Sequence, residues 1–588
     1  MVYQVVFQFS KKISASFDCF IRFSAIMLFS LAFLPLQAYS TETEEKIAAP
    51  DTQQESAEEK KVKSKALRIH VKHFSVLGVI DHPREGISKS EIETFLNKRR
   101  LEQKQGFTLE ELQETALSIT RYYRKAGYIL AQTILPEQDI SDGKISFKVY
   151  EGLLGKIVTR GNDNYSKQIL EYPFQSLIGK SVHYEPVENA MLHIKDYPGL
   201  SVKGIFQPGD AVGTTNLLLD IEKEKKFLST IIVDNYGTKL TGKERILLGT
   251  TWNNPLKRAD KLAVNVLQTS SASSNTFGSV YYQYPFQMPS PWLEGNYLLG
   301  MEYSRNSFEI GQQLADLDIS GVSQTAHLFV QRSFLRSRKN SYYSRIKFER
   351  KSSETTQADT TIGEDTLSIL SINMNMESID PAASMIYTAD FQYSHGFAGL
   401  FGAMDKNGNK NSSRVGGSDD YAGGSFDKFS WNYSQLHALN EWQTLLFRMK
   451  GQYSNDLLVS MEQMPLGGPN TVRAYPTSEL LFDTAIFFSL EWTFNLTRFT
   501  EASSDPIRLL NERIDIAVYA DFASGNLNDP LFNETKSSQL KGIGVSFILK
   551  HKHKYPISSR FDIATPVSSA KASNNLPLQT HFNLAYQF

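Results

Sequence analysis

Ile486-Phe-Phe-Ser-Leu-Glu-Trp-Thr-Phe-Asn-Leu496 places Ile486, Phe488, Leu490, Trp492, Phe494 and Leu496 on one face of an extended chain. Ser489, Glu491, Thr493 and Asn495 fall on the other. Successive strand side chains point to opposite faces, so this is a strand with one apolar and one wet side. Phe582, Leu584, Tyr586 and Phe588 likewise oppose Asn583, Ala585 and Gln587. Ile543, Val545, Phe547 and Leu549 oppose Gly542, Gly544 and Ser546. From Phe227 to the end the pattern recurs, and helical periodicity disappears.

A soluble sandwich and a lipid-facing barrel both satisfy a period of two. Three features favour the barrel. The segments run to about 10–15 residues, longer than ordinary soluble strands and long enough to cross a bilayer when tilted. Their polar faces carry Arg345, Lys347, Arg448 and Lys450, charges that a dry core could not hold unpaired. Connections also alternate, with short turns at 284–291, 335–340 and 551–554. Long polar loops are expected at 306–322, 352–365, 397–425, 454–480 and 523–538. The expectation is an all-β transmembrane barrel of about 16 antiparallel strands over 227–588.

The chain has 588 residues, with Lys+Arg 62 against Asp+Glu 63. A net charge of −1 offers no electrostatic case for nucleic acid. Residues 1–40 read as a signal peptide: Lys11, Lys12 and Arg22 precede the apolar run from Phe23 to Leu36, and Ala38-Tyr39-Ser40 offers a cleavage site after Ser40 or Ala38. The run falls short of the ~20 residues of a membrane-spanning helix. The one cysteine, Cys19, would leave with the signal, which excludes disulfides and thiolate metal sites from the mature chain. Residues 41–65 are polar and low in complexity, a disordered linker without the amphipathic stripe of a plug helix.

Residues 66–153 carry a β-α-α-β-β pattern. Ser88 with Glu91, and Thr108 with Glu111, have capping-box spacing at two helix starts. Ile92, Phe95 and Leu96 make one helical face; Leu109, Leu112, Ala116, Ile119 and Tyr123 make the next, which Gly127 ends. Residues 154–226 repeat the order more faintly, with a break at Tyr197-Pro-Gly199.

Ile119-Thr-Arg-Tyr-Tyr-Arg-Lys-Ala-Gly-Tyr128, Leu135-Pro-Glu-Gln-Asp-Ile-Ser-Asp-Gly143, Val149-Tyr-Glu-Gly152, Asn253-Asn-Pro255, Ala564-Thr-Pro566 and above all Leu466-Gly-Gly-Pro-Asn-Thr-Val-Arg-Ala-Tyr475 resemble the outer-membrane transporters of two-partner secretion, the haemolysin secretion/activation family. That resemblance implies two small α+β POTRA (polypeptide-transport-associated) domains, at 66–153 and 154–226, before the barrel. It also implies a loop folded into the lumen between strands eleven and twelve, carrying Gly467, Gly468, Val472, Arg473 and Tyr475, with Ala474 where the family has glycine. In the family the arginine pairs with the Asp of a Phe-x-Asp-x-Gly motif. Tyr519-Ala-Asp521 is the match here, although Gly525 falls two residues late; Glu491 is the alternative partner. The implied partners are a large, β-helical exoprotein client, outer-membrane lipid, and a barrel-assembly machinery that reads the strand ending in Phe588. The POTRA domains would sit in the periplasm.

His551-Lys-His-Lys554 has two histidines and no third ligand, so it reads as a solvated turn. No Ser/His/Asp order, phosphate-cradling loop or catalytic carboxylate pair stands out, so neither an enzyme nor a cofactor is expected. An outer-membrane insertase and a diffusion porin with periplasmic domains are the alternatives. Two POTRA-like repeats, rather than a longer array, favour secretion.

Overall fold

The computed structural model describes residues 68–270, 274–287, 295–406, 410–496, 514–551 and 555–588. The expected signal peptide and linker lie outside them, as do positions 552–554 of the His-Lys turn and 288–291 of the first short turn.

The N-terminal unit runs β1 (His73–Leu77), α1 (Lys89–Glu102), α2 (Leu109–Lys125), β2 (Gln132–Ile134) and β3 (Lys144–Tyr150). β3 lies between a parallel β1 and an antiparallel β2. Thr108 and Glu111 form the full capping box on α2, with backbone donors reaching the hydroxyl at 3.2 Å and the carboxylate at 2.8 Å. Ser88 caps α1, but Glu91 accepts from the Ser88 hydroxyl instead of closing the box. Leu112, Ala116, Ile119 and Tyr123 pack on Phe74 and Phe147. Leu109 and Phe95, expected on the buried faces, stand exposed: Leu109 opens its helix, and Phe95 flanks the buried Ile92 and Leu96.

The second unit repeats the order as β4 (Leu153–Arg160), α3 (Lys167–Glu171), α4 (Tyr184–Lys195), β5 (Leu200–Pro208) and β6 (Thr214–Glu224), with β6 central. Between the units, buried Glu151 accepts hydrogen bonds from the Ile80 amide at 2.9 Å, His82 Nε2 at 2.7 Å, the Tyr123 hydroxyl at 3.2 Å and the Ser181 hydroxyl at 2.6 Å. Burial, with the Glu151 carboxylate next, pushes the Tyr123 hydroxyl well above its ordinary pKa and keeps it a donor.

The remaining strands form a closed antiparallel barrel. It begins with β7 (Phe227–Asp234), β8 (Arg245–Asn253), β9 (Lys261–Thr269), β10 (Asn275–Gln287) and β11 (Asn296–Glu309). The long central strands are β12 (Ile319–Arg336), β13 (Asn340–Gln357), β14 (Thr360–Asp380), β15 (Met385–Gly396), β16 (Phe426–Asn440) and β17 (Gln443–Tyr453). A separate hairpin of β18 (Met464–Leu466) and β19 (Leu480–Phe482) follows. β20 (Thr484–Asn495), β21 (Ile514–Asn526), β22 (Ser537–His551), β23 (Ile557–Pro566) and β24 (Gln579–Gln587) complete the ring of 16 strands. β24 closes on β7 from Asn583↔Asp234 to Gln587↔Thr230, and Phe588 exchanges backbone hydrogen bonds with Ser229 at 2.9 and 3.0 Å. Each strand of this ring has two hydrogen-bonded neighbours, so the barrel itself presents no free edge to template aggregation.

The outer face is apolar and uncovered. Ile346, Ile372, Met374 and Leu328 are 54, 47, 58 and 49% exposed, whereas Ser546 and Ala564 on the inner face are buried. A belt of large exposed aliphatic side chains around a closed barrel is a lipid contact. Two expected loops are corrected. The strands continue through 352–365 to a two-residue turn at Ala358-Asp359, both at positive φ, and 306–322 shrinks to a short crossing between Glu309 and Ile319. Polar alternation there marks where the strands leave the apolar belt, not where hydrogen bonding stops.

The second N-terminal unit is fastened to the barrel. Arg336 grips Asp196 with two hydrogen bonds of 2.7 and 2.8 Å, Arg338 reaches Glu188 at 2.9 Å, and Asn189 donates to the Arg336 carbonyl. The turn between β12 and β13 is thereby held against α4.

Glu151→Ala should leave four donors short of their acceptor and cost about 2–4 kcal/mol locally. Hydrogen exchange should accelerate across 80–82 and 123–128; unchanged protection there would show that the carboxylate is dispensable.

Candidate inward loop and its ion cluster

Local chain geometry sends residues 464–482 inward. Gly467 and Gly468 have φ of 99° and 90°, and a Cβ on Gly467 would lie 2.4 Å from the Pro476 carbonyl. Only glycine accepts that combination of backbone angle and close approach. The Gly468 amide donates to the Val472 and Tyr475 carbonyls at 3.2 and 3.0 Å, and the Thr471 hydroxyl donates to the Gly467 carbonyl at 3.0 Å. These bonds close a compact tip. Ala474, at the family's glycine position, does not need positive φ. Its methyl instead occupies the space left by Gly542 on β22, where a Cβ would come within 2.4 Å of it.

The tip delivers Arg473, 1% exposed, to the lumen wall. Its Nε and one terminal nitrogen each bond to an Asp521 carboxylate oxygen at 2.8 Å, and its backbone amide adds a third bond to the same group at 3.1 Å. The other terminal nitrogen reaches Glu491 at 2.5 Å. Ser489 accepts at 3.1 Å, and the guanidinium plane lies 3.2 Å from the Tyr519 ring centroid. The bidentate fork on Asp521 is the geometry that arginine and carboxylate form best. Both carboxylates expected from the sequence therefore meet Arg473. Asp521 takes the fork and Glu491 takes a single bond.

Sequence reading missed most of the supporting network. Arg560 on β23 shares Glu491 with Arg473, binding it at 2.7 and 3.1 Å, and also binds Asp562 at 3.0 Å. The Ser546 hydroxyl donates to Asp562 at 2.5 Å. His581 Nε2 donates to the Arg473 carbonyl at 2.9 Å. Arg448 donates to Ser489 at 3.3 Å. The available signal was Arg560-Phe-Asp562: two opposite charges at i and i+2 on the lumen face of a strand whose other face is greasy.

Val472 and Tyr475 are buried with Leu466, Phe482 and Phe487, and the Tyr475 hydroxyl bonds Ser568 and the Ala570 carbonyl at 2.8 and 2.9 Å. Phe588 is not part of this site. It is half exposed on the outer face and stacks on Tyr586.

Gly542→Ala should push the Ala474 methyl away and lift the tip from the wall. Amides of 468–476 are expected to exchange faster with deuterium than in the parent, and equal exchange would show that the tip does not depend on this close approach.

A family model described as "Haemolysin secretion/activation protein ShlB/FhaC/HecB" matches residues 213–505, and a "POTRA domain, ShlB-type" model matches residues 85–152. The heme/hemopexin transporter protein HuxB of Haemophilus influenzae (strain 86-028NP) is 23% identical over 399 residues, 67% of this chain and 68% of the relative. The outer membrane transporter CdiB of Dickeya dadantii (strain 3937) is 23% identical over 370 residues, covering 62% and 63%. Among solved structures, CdiB from Escherichia coli superposes with a TM-score of 0.67 at 20% identity, covering 92% of this chain and 93% of that one. BamA from Haemophilus ducreyi lacking POTRA domains 1-3 gives 0.51 at 13% identity, covering 88% and 100%. At these identities the superpositions speak for the fold; the family models and the inward tip between the eleventh and twelfth barrel strands carry the assignment. The chain belongs to the haemolysin secretion/activation family of outer-membrane transporters.

Proposed function

We propose that this protein exports one partner polypeptide, a large exoprotein of β-helical type, from the periplasm to the cell surface. The two N-terminal units, at 66–153 and 154–226, act as periplasmic POTRA domains that receive the unfolded client, whose extended segments pair with their exposed sheet edges. The barrel, at 227–588, gives it a path through the lipid. Folding outside removes the client from the unfolded pool, so mass action supports net export without a nucleotide or a catalytic step.

The observation that carries this reading is Arg473, held at 1% exposure by Asp521 and Glu491 inside a closed barrel. These ion pairs fix a loop inside the lumen, as the family resemblance implies for a polypeptide conduit. Barrel-assembly machinery is the expected partner of the closing strand that ends in Phe588, and outer-membrane lipid the partner of the apolar belt.

Arg473→Ala should reduce secreted client to background while the barrel remains in the outer membrane, its folded band still shifting on heating in gel electrophoresis. Normal secretion by this variant would contradict the loop's role. Loss of other outer-membrane barrels upon depletion of this protein would favour the insertase reading instead, to which the BamA-like fold is also open.

A further inference from the structure

The limb of the inward loop that precedes its hairpin crosses the outer end of the barrel. The second N-terminal unit leads directly into β7, so odd-numbered strands up to β17 run outward and even-numbered ones return. Lys428 therefore lies near the outer end of β16, and Lys351 in the outer half of β13. Between them sits Glu462, 3% exposed. Lys351 Nζ donates to one carboxylate oxygen at 2.8 Å, and Lys428 Nζ to the other at 2.5 Å. The Glu462 carbonyl accepts from Lys428 at 3.1 Å and from Gln452 of β17 at 2.8 Å.

The rest of the limb is equally attached. Leu458 and Val459 are buried against Leu367 and Ile369 of β14, Met404 and Ala422 of the loop after β15, and Phe426 of β16. At the head of β20, fully buried Asp483 accepts from the Leu458 amide and Gln463 Nε2 at 3.1 Å and from the Asn528 amide at 2.8 Å. Residues 457–463 thus tie the β13–β16 wall to the β20 side. The mid-lumen ion cluster uses none of these groups.

We propose that residues 457–463 seal the outer mouth of the resting pore, and that Glu462 is the positioning residue that latches them shut. The two attachments of the loop differ in kind. Arg473 offers a planar fork to fully buried Asp521, so its withdrawal would leave that carboxylate short of charge. The Glu462 latch is built from two flexible ammonium groups. Lys351 has a second carboxylate, Glu349, at 3.7 Å, so the latch can part with less electrostatic loss. The limb is the end that moves, and the tip stays docked.

This inference deepens the export reading and rests on it for the purpose of opening, but its test needs no client. The full chain, reconstituted in planar lipid bilayers, should pass brief and infrequent currents. Glu462→Gln is expected to raise the open-to-closed ratio at least about fivefold, and Lys428→Gln likewise. The double variant should open no more than the stronger single one, because both act on one contact. Glu462→Asp, which keeps the charge, should return most of the closure. Parent-like currents in both single variants, or additive effects in the double, would overturn the latch. If Glu462→Gln fails to give a heat-shifting folded band, Lys428→Gln alone decides by the same criterion. In cells, Glu462→Gln should still secrete client, since the Arg473 tip is intact. Absence of client export by the parent chain would strike the export reading and leave the current measurements standing.

Discussion

A guanidinium cannot be taken out of water without its charge being returned, and Arg473 is taken almost completely out of water. The barrel answers with Asp521, Glu491 and Asp562, the last two of which it also shares with Arg560. These carboxylates come from β20, β21 and β23, separate in sequence and adjacent only once the strands pair in register. The inward loop therefore depends on the barrel wall being assembled, and that wall's buried acids depend on the loop. Removing either partner leaves buried charge, which is costlier than never having placed it there.

The same strands solve a second problem on their other face. Lipid offers no hydrogen bonds, so every backbone group in the belt must find a partner within the chain, and only closure achieves that. The seam between β24 and β7 supplies it through Phe588 and Ser229 as well as the paired residues. Apolar side chains outside and ionic ones inside are thus the two products of one alternation. Below the barrel, Glu151 joins the two POTRA-type units, and the Arg336–Asp196 pair fastens the second unit to the β12–β13 turn. The path from periplasm to lumen is thus joined at each step by hydrogen-bonded contacts.

The barrel was legible because alternation is a local property: Ile486 to Leu496 declares its two faces without reference to any other strand. Arg473, Asp521 and Glu491 were legible through the resemblance of the loop string and the lumen-side placement of the two acids. Arg560, Asp562 and His581 were not, since their roles arise from register, which fixes which residues of distant strands stand side by side. Loop lengths at 306–322 and 352–365 were overestimated for a related reason. Hydrogen bonding extends strands beyond the apolar belt, where composition resembles that of loops. Glu462 carried no sequence signal at all, because its lysines come from strands far earlier in the chain.

The central claim is that Arg473 and Asp521 hold the loop to the barrel wall as a directly bonded pair. The most direct measurement is a double-mutant cycle on the temperature at which the folded electrophoretic band is lost, using Arg473→Ala, Asp521→Ala and both together. A bonded pair predicts coupling of at least about 2 kcal/mol, with the double variant barely worse than either single one. Fully additive losses would mean that the two side chains do not meet, and would contradict the account.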